Sequence, residues 1–367
     1  MIQSDLVGES KDALDTPVLL VDLAVLGRNI ERMAGTIIRE AGVRWRPHTK
    51  AMKTPALAHM LLDAGASGIT CAKLGEAEVM AAAGIPDILV ANQVVGPRKI
   101  TRLVNLRKQA DVIVAVDNVE NVEALNCAAL ETGVQLRLLI EVNTGMNRAG
   151  VEPGKDALTL AQFISRRQGL RFSGLMTWEA HALSITDPEE KRRVVAEAIK
   201  RLTDTAELCR EHGLPVDIVS CGGTGTYWIS ASQPGITEVE AGGGILCDVR
   251  YRRQFGVELD FAMTVLSTVT SRPTSTRIIC DAGFKTMSSH HGTPEPLGIS
   301  HVESVKISAE HGIVSLAQPS DTPRVGDRIE FIVGYTDSTV VLHEAVYGIR
   351  DGVVETVWPL LGRGKLQ

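Results

Sequence analysis

Lys50 lies in the basic segment Arg-Pro-His-Thr-Lys-Ala-Met-Lys at residues 46–53, between a short apolar-edged stretch and a helix-like one. Such a position is where a parallel α/β fold opens its active-site mouth. Neighbouring cations (Arg46, His48 and Lys53) and partial burial would favour the neutral amine, and a neutral lysine can attack an aldehyde to form a Schiff base. A solvated basic loop is the alternative for this segment taken alone.

Two glycine runs follow the seventh and eighth strands predicted below, at residues 216–220 and 237–241. Their candidate phosphate-binding residues are Gly222, Gly223, Thr224, Gly225 and Thr226 in the first run, and Gly242 and Gly243 in the second. Glycines let backbone N–H groups approach a phosphate, and threonines add hydroxyl donors. Each run alone is also consistent with a tight turn. Neither matches the dinucleotide pattern G-x-G-x-x-G. A Schiff-base lysine together with a phosphate cradle indicates pyridoxal phosphate.

Two further residues can do chemistry beside such a cofactor. Arg148, in the run Gly145–Gly150, can donate to the cofactor's phenolic oxygen, or form a salt bridge on a barrel rim. His181 follows Glu179 by two residues, so both side chains point to the same side of an extended segment. This pair is an acid/base candidate, although such a histidine is often a packed structural residue.

The elements that must position these residues are short β-branched runs that alternate with helix-length stretches. The predicted strands cover residues 43–47, 68–72, 87–91, 111–116, 136–142, 171–177, 216–220 and 237–241, after a preliminary run at 18–21. Eight strands that alternate with helices predict an eight-stranded (β/α) barrel at residues 15–245. A doubly wound open sheet is the structural alternative.

From about residue 246 the predicted strands follow one another without helices between them. They cover Met263–Ser271, Thr276–Cys280, Arg328–Val333, Thr339–Val341, Ala345–Ile349 and Val353–Val357. This pattern predicts a second, all-β domain at 246–367, joined by the N-terminal residues 1–14.

Composition excludes several classes of protein. The 367 residues are 44% hydrophobic and 22% charged, as in ordinary globular enzymes, and the net charge of −6 disfavours a nucleic-acid-binding surface. No apolar run is long enough for a membrane helix, and the polar N-terminal segment lacks a secretion signal. We expect a cytoplasmic protein whose six scattered cysteines are free thiols.

As a set, these motifs resemble the D-threonine aldolase/D-serine dehydratase-like family. The resemblance runs from Asp15 to Lys365, and its segments are Arg46-Pro47-His48-x-Lys50, Ala91–Gly96, Gly145-Met146-x-Arg148-x-Gly150, Trp178–His181, Gly222–Thr226 and Asp281–Lys285. It implies an alanine-racemase type of barrel followed by a C-terminal β domain. Lys50 would bind pyridoxal phosphate, Arg148 would hold the phenolic oxygen, the two glycine runs would hold the phosphate, and His181 would lie near the substrate's β-hydroxyl.

Members of this family also bind a divalent metal (manganese, magnesium or zinc) through a histidine followed two residues later by Asp or Cys. The aligned positions here are Tyr335 and Asp337, so the histidine is missing while the aspartate matches the aldolases. A neutral tyrosine is a poor ligand. His343 and the pair His290-His291 are further candidate ligands, although packed or exposed histidines are the simpler interpretation. Met52 stands where many relatives have a second histidine.

The resemblance and the motifs together predict an aldolase that cleaves D-configured β-hydroxy-α-amino acids, such as D-threonine or D-3-hydroxyaspartate, to glycine and an aldehyde. A dehydratase (ammonia-lyase) acting on similar substrates is the alternative, followed by an amino-acid racemase. A non-catalytic pyridoxal-phosphate carrier is disfavoured by the additional β domain. We expect a homodimer in which the partner's β domain completes the site, with no nucleic-acid or membrane partner.

Overall fold

The computed structural model describes residue 2 and residues 4–367. Its strands, in chain order, are β1 (Val18–Asp22), β2 (Arg44–Trp45), β3 (Ile69–Cys71), β4 (Asp87–Gln93), β5 (Asp111–Val116), β6 (Leu136–Glu141), β7 (Leu170–Met176), β8 (Ile218–Cys221), β9 (Glu238–Val239), β10 (Met263–Thr274), β11 (Arg277–Cys280), β12 (Glu295–Pro296), β13 (Val302–Ile307), β14 (Gly312–Leu316), β15 (Arg328–Ile332), β16 (Ala345–Arg350) and β17 (Val353–Pro359). Its α-helices are α1 (Leu23–Ala34), α2 (Pro55–Asp63), α3 (Leu74–Ala82), α4 (Pro97–Leu106), α5 (Val119–Thr132), α6 (Lys155–Ser165), α7 (Pro188–Glu211), α8 (Tyr227–Ser230) and α9 (Thr336–Thr339).

The chain divides into two compact units. One contains Arg32–Lys50, Pro55–Gly242 and Gly364–Gln367, and the other contains the N-terminal segment through Glu31, Ala51–Thr54 and Gly243–Arg363. The boundary expected at 245/246 thus lies three residues later than the division in the structure. The N-terminal segment that belongs with the β-rich unit is also longer than the expected 1–14.

The first unit is the predicted eight-stranded barrel. Its strands follow the order β2-β9-β8-β7-β6-β5-β4-β3, and every neighbouring pair is parallel. An isolated parallel bridge between His48 and Thr70 joins the segment after β2 to β3. The barrel prediction is confirmed, and the open doubly wound sheet was the wrong alternative.

Local sequence signals explain how the barrel elements begin and end. The Asn118 side chain caps α5 by accepting from the Asn121 amide, and Gly133 ends that helix in a left-handed conformation. Asp187 caps α7 in the same way, with Pro188 at the first helical position. The central strands are apolar and buried, as parallel strands covered by helices must be.

A buried guanidinium occupies the seam between the first and last barrel strands. Arg46 is 1% exposed. Its Nε lies 2.9 Å from Glu238 Oε2 and its Nη1 lies 2.8 Å from Asp87 Oδ1. Beside it, Trp45 Nε1 donates to the Ala241 carbonyl at 2.6 Å. Because β2 and β9 are only two residues long, these side chains supplement a short backbone ladder.

The second unit contains a nine-stranded sheet with the path β13-β14-β11-β10-β1-β16-β17, from which β15 and β12 branch. The run at residues 18–21 is not a prelude to the barrel: it is β1, antiparallel to β10 and parallel to β16. Eight buried residues from the N-terminal segment, β1, β10, β16 and β17 form its core, namely Leu14, Val18, Leu20, Leu266, Ala345, Tyr347, Ile349 and Val354.

The predicted strand at Thr339–Val341 is wrong. Residues 336–342 form α9 and a 3-10 turn instead, although Thr339, Val340 and Val341 are β-branched. The Thr336 amide donates to the buried Asp248 carboxylate at 2.8 Å, so a tertiary contact overrides the local β preference. The sequence analysis did not predict strands β13 and β14, because their polar residues weaken the alternation of apolar and polar positions that is typical of a strand.

Among the described residues, no helix is long and apolar enough to cross a membrane. The six cysteines are free thiols, and all except Cys127 are buried.

Breaking the seam ion pairs should destabilise the barrel. Arg46→Met leaves the fully buried Glu238 without its countercharge, which typically costs about 3–5 kcal/mol. Arg171→Met, which breaks the half-exposed pair with Asp217, should change stability by at most about 1 kcal/mol. Urea unfolding followed by circular dichroism measures both. Equal losses in the two variants would contradict a structural role for the Arg46 network.

Candidate functional site

Lys50 follows β2 by five residues, in a 3-10 turn at Thr49–Ala51. The Lys50 side chain is partly buried, and its amide donates to His48 Nδ1 at 3.3 Å. Thr49 Oγ1 donates to the Thr70 carbonyl, which fixes the start of the turn on β3. The expected crowding by Arg46 is wrong, because its guanidinium is directed to Glu238 and Asp87 inside the seam.

The second glycine run lies directly against the Lys50 segment. The His48 amide donates to the Glu240 carbonyl at 2.9 Å. A Cβ atom at position 242 would lie 2.2 Å from the His48 carbonyl oxygen, so only glycine allows this approach. The carboxyl ends of β9 and β2 therefore bring Gly242 next to the turn that carries Lys50. The next residue, Gly243, begins the long segment Gly243–Arg363 of the β-rich unit.

The first glycine run, Gly222–Thr226, is a buried turn held by a carboxylate. Glu179, fully buried, accepts from the Gly222 amide at 3.2 Å, from Thr226 Oγ1 at 2.7 Å and from Ser230 Oγ at 2.6 Å. Trp178 packs so tightly on the turn that a Cβ at position 223 would lie 1.9 Å from its ring. Sequence reasoning paired Glu179 with His181 as an acid/base couple, whereas the carboxylate is used to shape the turn.

His181 lies at the carboxyl end of β7, in a 3-10 turn at Ala180–Ala182. Its ring contacts the Gly145 backbone, where a Cβ atom would lie 3.0 Å from both Cε1 and Nε2. Its buried Nδ1 has no hydrogen-bond partner among the described residues. The imidazole is thus positioned by packing, with one ring nitrogen that bonds to no described residue.

Arg148 pairs with Glu141. Arg148 Nη2 lies 3.3 Å from Glu141 Oε1, and about half of the Arg148 side chain is exposed. Glu141 also accepts from Gln93 Nε2 at 2.7 Å. This is the rim salt bridge that the sequence left open as an alternative, and it keeps the guanidinium at the mouth of the barrel, at the end of β6.

Glu240 is a buried acid that sequence reasoning did not single out. Burial raises the pKa of Glu240 to about 8, and the neighbouring Glu238 carboxylate adds to this effect. Ser220 Oγ donates to Glu240 Oε1 at 2.8 Å. At neutral pH the Glu240 carboxyl is therefore mostly protonated and has a proton to donate inside the barrel. The sequence signal that could have identified Glu240 is its position two residues before the Gly242 run, within the predicted strand at 237–241.

These groups fit pyridoxal phosphate. Gly222–Thr226 form a glycine-lined turn, and the Gly225 amide makes no backbone hydrogen bond within the part of the chain that the structure describes. Gly242 lies against the His48–Lys50 segment. A phosphate at the first run and an aldehyde at Lys50 match the two ends of that cofactor.

The residues at the expected metal position do not fit a divalent ion. Tyr335 Oη donates to Asp337 Oδ2 at 3.0 Å, so the two side chains bond to each other. Burial raises the pKa of Tyr335, and the Asp337 charge raises it further, which keeps the phenol neutral. No group of three or more His, Cys, Asp or Glu residues suited to a metal occurs among the described residues.

The other candidate ligands are engaged elsewhere. His343 Nε2 bonds to the Thr286 carbonyl at 2.8 Å, and burial lowers the pKa of this histidine. His290 and His291 are exposed, with ring centroids 3.7 Å apart. Met52 is fully buried.

The raised pKa of Glu240 predicts a pH-dependent stability. Between its ordinary pKa and about pH 8 the folded state keeps a proton that the unfolded state releases, so this group lowers stability as pH rises. Glu240→Gln should therefore gain stability relative to the native chain from pH 6 to pH 8 in urea unfolding. Glu190→Gln is the control, since the Arg193 hydrogen bond lowers the pKa of Glu190 and the carboxylate stays ionised throughout. A pH-independent difference for Glu240→Gln would refute the protonated state.

Restoring a histidine at the metal position should create metal affinity. Tyr335→His supplies an imidazole two residues before Asp337, which suits manganese or zinc. We expect Mn²⁺ to bind this variant at least about 10-fold more tightly than the native chain, measured by calorimetry and by metal content after desalting. Tyr335→Phe, which only removes the hydroxyl, should gain nothing. Stoichiometric metal retained by the native chain would overturn the assignment.

Comparison with known proteins supports the same family in both units. Residues 21–248 match the alanine racemase N-terminal domain, and residues 262–349 match a putative serine dehydratase domain.

Three relatives align with almost the whole chain. A D-threonine aldolase from Arthrobacter sp is 35% identical over 97% of this chain and 95% of its own length. A 3-hydroxy-D-aspartate aldolase from Paracoccus denitrificans (strain Pd 1222) is 32% identical over 98% of this chain and 95% of its own. The crystal structure of D-threonine aldolase from Filomicrobium marinum superposes with a TM-score of 0.94 at 32% identity, covering 98% of this chain and 99% of that one. Together with the barrel and its glycine turns, these matches show that the chain belongs to the D-threonine aldolase/D-serine dehydratase-like family, with an alanine-racemase type of N-terminal domain.

Proposed function

We propose that this chain is a pyridoxal-phosphate-dependent aldolase that cleaves D-configured β-hydroxy-α-amino acids to glycine and an aldehyde. The observation that carries the proposal is the contact of Gly242 with the His48 backbone, two residues before Lys50. It brings a lysine amine and a glycine turn to one edge of the barrel, as a phosphorylated aldehyde requires.

Each residue has a defined task in this proposal. Lys50 would hold the cofactor at its aldehyde end, and Gly222–Thr226, Gly242 and Gly243 would provide donors to the phosphate. Arg148, held by Glu141, is at the rim to donate to the phenolic oxygen. Glu179 shapes the first turn by accepting hydrogen bonds from Gly222 and Thr226.

His181 is the base. Its Nδ1 has no partner among the described residues, and the ring is fixed against Gly145. It removes the proton from the substrate's β-hydroxyl, the C–O bond becomes a carbonyl, and the Cα–Cβ bond breaks. When bound, pyridoxal phosphate withdraws the electron pair left on Cα. A proton then returns to Cα to give glycine, so atoms and charge balance.

The proposal includes a cytoplasmic homodimer in which the partner's β domain completes the site, as the sequence predicts. It includes no divalent metal, because Tyr335 and Asp337 bond to each other.

Product analysis tests this function. Protein reconstituted with pyridoxal phosphate should convert D-threonine or D-3-hydroxyaspartate to glycine plus aldehyde, detected by amino-acid chromatography and an aldehyde dehydrogenase assay. His181→Gln should lower kcat by about 10²–10⁴-fold while keeping the cofactor's absorbance band, since it removes only the general base. Lys50→Ala should lose both the lysine-dependent band and turnover.

The alternatives give different products. A 2-oxo acid and ammonia would replace the aldolase by a dehydratase, and inversion at Cα alone would indicate a racemase. An intact absorbance band without turnover of any D-amino acid would indicate a cofactor carrier. Full activity in Lys50→Ala would refute the whole assignment.

A further inference from the structure

The segment Ala91–Gly96 contains the end of β4, and two of its side chains reach to opposite sides of that strand. Asn92 Nδ2 donates to the Ala72 carbonyl at 3.0 Å, just after β3. Gln93 Nε2 donates to Glu141 Oε2 at 2.7 Å, at the end of β6. Because β5 lies between β4 and β6, Gln93 connects two strands of the barrel that are not neighbours.

An irregularity in β4 precedes this contact. Val90 pairs with Val114 of β5, and the next pair is Gln93 with Ala115, so the chain advances three residues on β4 and one on β5. Such bulges change the direction of side chains and are frequent beside functional sites. The side chain paired with Gln93 is that of an alanine, which is short enough for the amide to reach past it.

Glu141 is a carboxylate with a donor on each oxygen. Its side chain is 6% exposed, whereas that of Arg148 is 53% exposed. Gln93 Nε2 lies 2.7 Å from Oε2, and Arg148 Nη2 lies 3.3 Å from Oε1. Since a buried carboxylate depends on its donors, the shorter bond from Gln93 fixes the orientation of Glu141. The half-exposed guanidinium then takes its direction from Glu141.

Other contacts hold the backbone of the loop that carries Arg148. Asn143 Oδ1 accepts from the amides of Gly145 and Asn147, at 3.2 and 3.0 Å. A Cβ atom at position 150 would lie 2.8 Å from the Asn143 nitrogen, so the two ends of the loop are in contact. Loss of the Gln93 amide should therefore change the direction of the Arg148 side chain and leave the loop folded.

We infer that Gln93 is a positioning residue, which sets the direction of the Arg148 guanidinium through Glu141. The inference rests on the proposed function, in which Arg148 donates to the cofactor's phenolic oxygen. A guanidinium has its N–H groups in one plane, so a change in its direction weakens that bond even though the charge remains. An amide suits the task because it donates to Glu141 without adding a cation that would compete with Arg148.

A double-mutant cycle tests this route. Gln93→Met removes the amide at similar volume and should lower the affinity for pyridoxal phosphate by about 3- to 10-fold, whereas Arg148→Met should lower it further. In the Arg148→Met background, Gln93→Met should change the affinity by less than about 2-fold, because both changes act through one guanidinium. Titration of the apoprotein, followed by the lysine-dependent absorbance band, measures all four affinities. Losses that multiply in the double variant would overturn the inference.

The reactivity of Arg148 in the apoprotein gives a measurement that needs no cofactor. Phenylglyoxal modifies accessible guanidinium groups, and peptide mass spectrometry gives the rate at each arginine. Arg148 should react about 3-fold faster in Gln93→Met than in the native chain, while the exposed Arg98 keeps its rate. An unchanged rate at Arg148 would contradict the positioning role. If the rate rises but the reconstituted protein cleaves no D-amino acid, the proposed function fails and Gln93 still positions Arg148.

Gln233→Met is the matched control. Gln233 is another partly buried glutamine of the barrel unit, and its Nε2 donates to the Ile229 carbonyl at 3.1 Å. This variant should keep both the cofactor affinity and the Arg148 rate of the native chain. Gln93→Glu keeps the shape but sets a second carboxylate against Glu141, so it should lose at least as much affinity as Gln93→Met. Native affinity in Gln93→Glu would overturn the inference.

Glu141→Gln keeps the test available if Gln93→Met alone does not fold, because it removes the buried charge that needs the amide. Circular dichroism establishes that each variant is folded. Glu141→Gln should raise the Arg148 rate by about as much as Gln93→Met, and adding Gln93→Met to it should have no further effect. A further increase in the double variant would show that Gln93 acts on Arg148 without Glu141, which contradicts the inferred route.

Discussion

The barrel depends on one buried cation. Arg46 lies where the first and last strands meet, and it neutralises Glu238 and Asp87 there. Those strands, β2 and β9, are two residues long and share a short ladder. A pair of acidic side chains at such a seam would repel each other in a low-dielectric interior. With Arg46 between them, the same groups draw the strands together, and burial also leaves Glu240 protonated rather than charged.

Closure of the barrel at this seam sets the positions of the functional groups. Lys50 is four residues beyond Arg46, and Gly242 is four beyond Glu238. The pairing of Arg46 with Glu238 therefore holds the two segments that carry Lys50 and Gly242 next to each other. The first glycine run depends on another carboxylate, Glu179. Glu179 accepts three hydrogen bonds, from Gly222, Thr226 and Ser230. The turn thus keeps its shape and the Gly225 amide stays available.

The sequence predicted the barrel well because its information is local: each strand is a buried β-branched run, and each helix has its own caps. Prediction failed where the conformation of a segment depends on residues far away in the sequence. The run at 18–21 has the pattern of a barrel strand, yet it pairs with β10 and β16, more than 200 residues away. Arg46 resembled an activator of Lys50 because the two are close in sequence, whereas the direction of its side chain depends on Asp87 and Glu238. Thr339–Val341 is helical because the Thr336 amide, at the start of this segment's helix, donates to Asp248.

The proposed function includes no divalent metal, which limits how the β-hydroxyl proton can be removed. A divalent ion can hold an anionic oxygen and lower the pKa of a bound hydroxyl. Because Tyr335 and Asp337 bond to each other, the proposed cleavage uses a protein base to accept the β-hydroxyl proton. We propose His181 for this task, because its buried Nδ1 has no hydrogen-bond partner among the described residues.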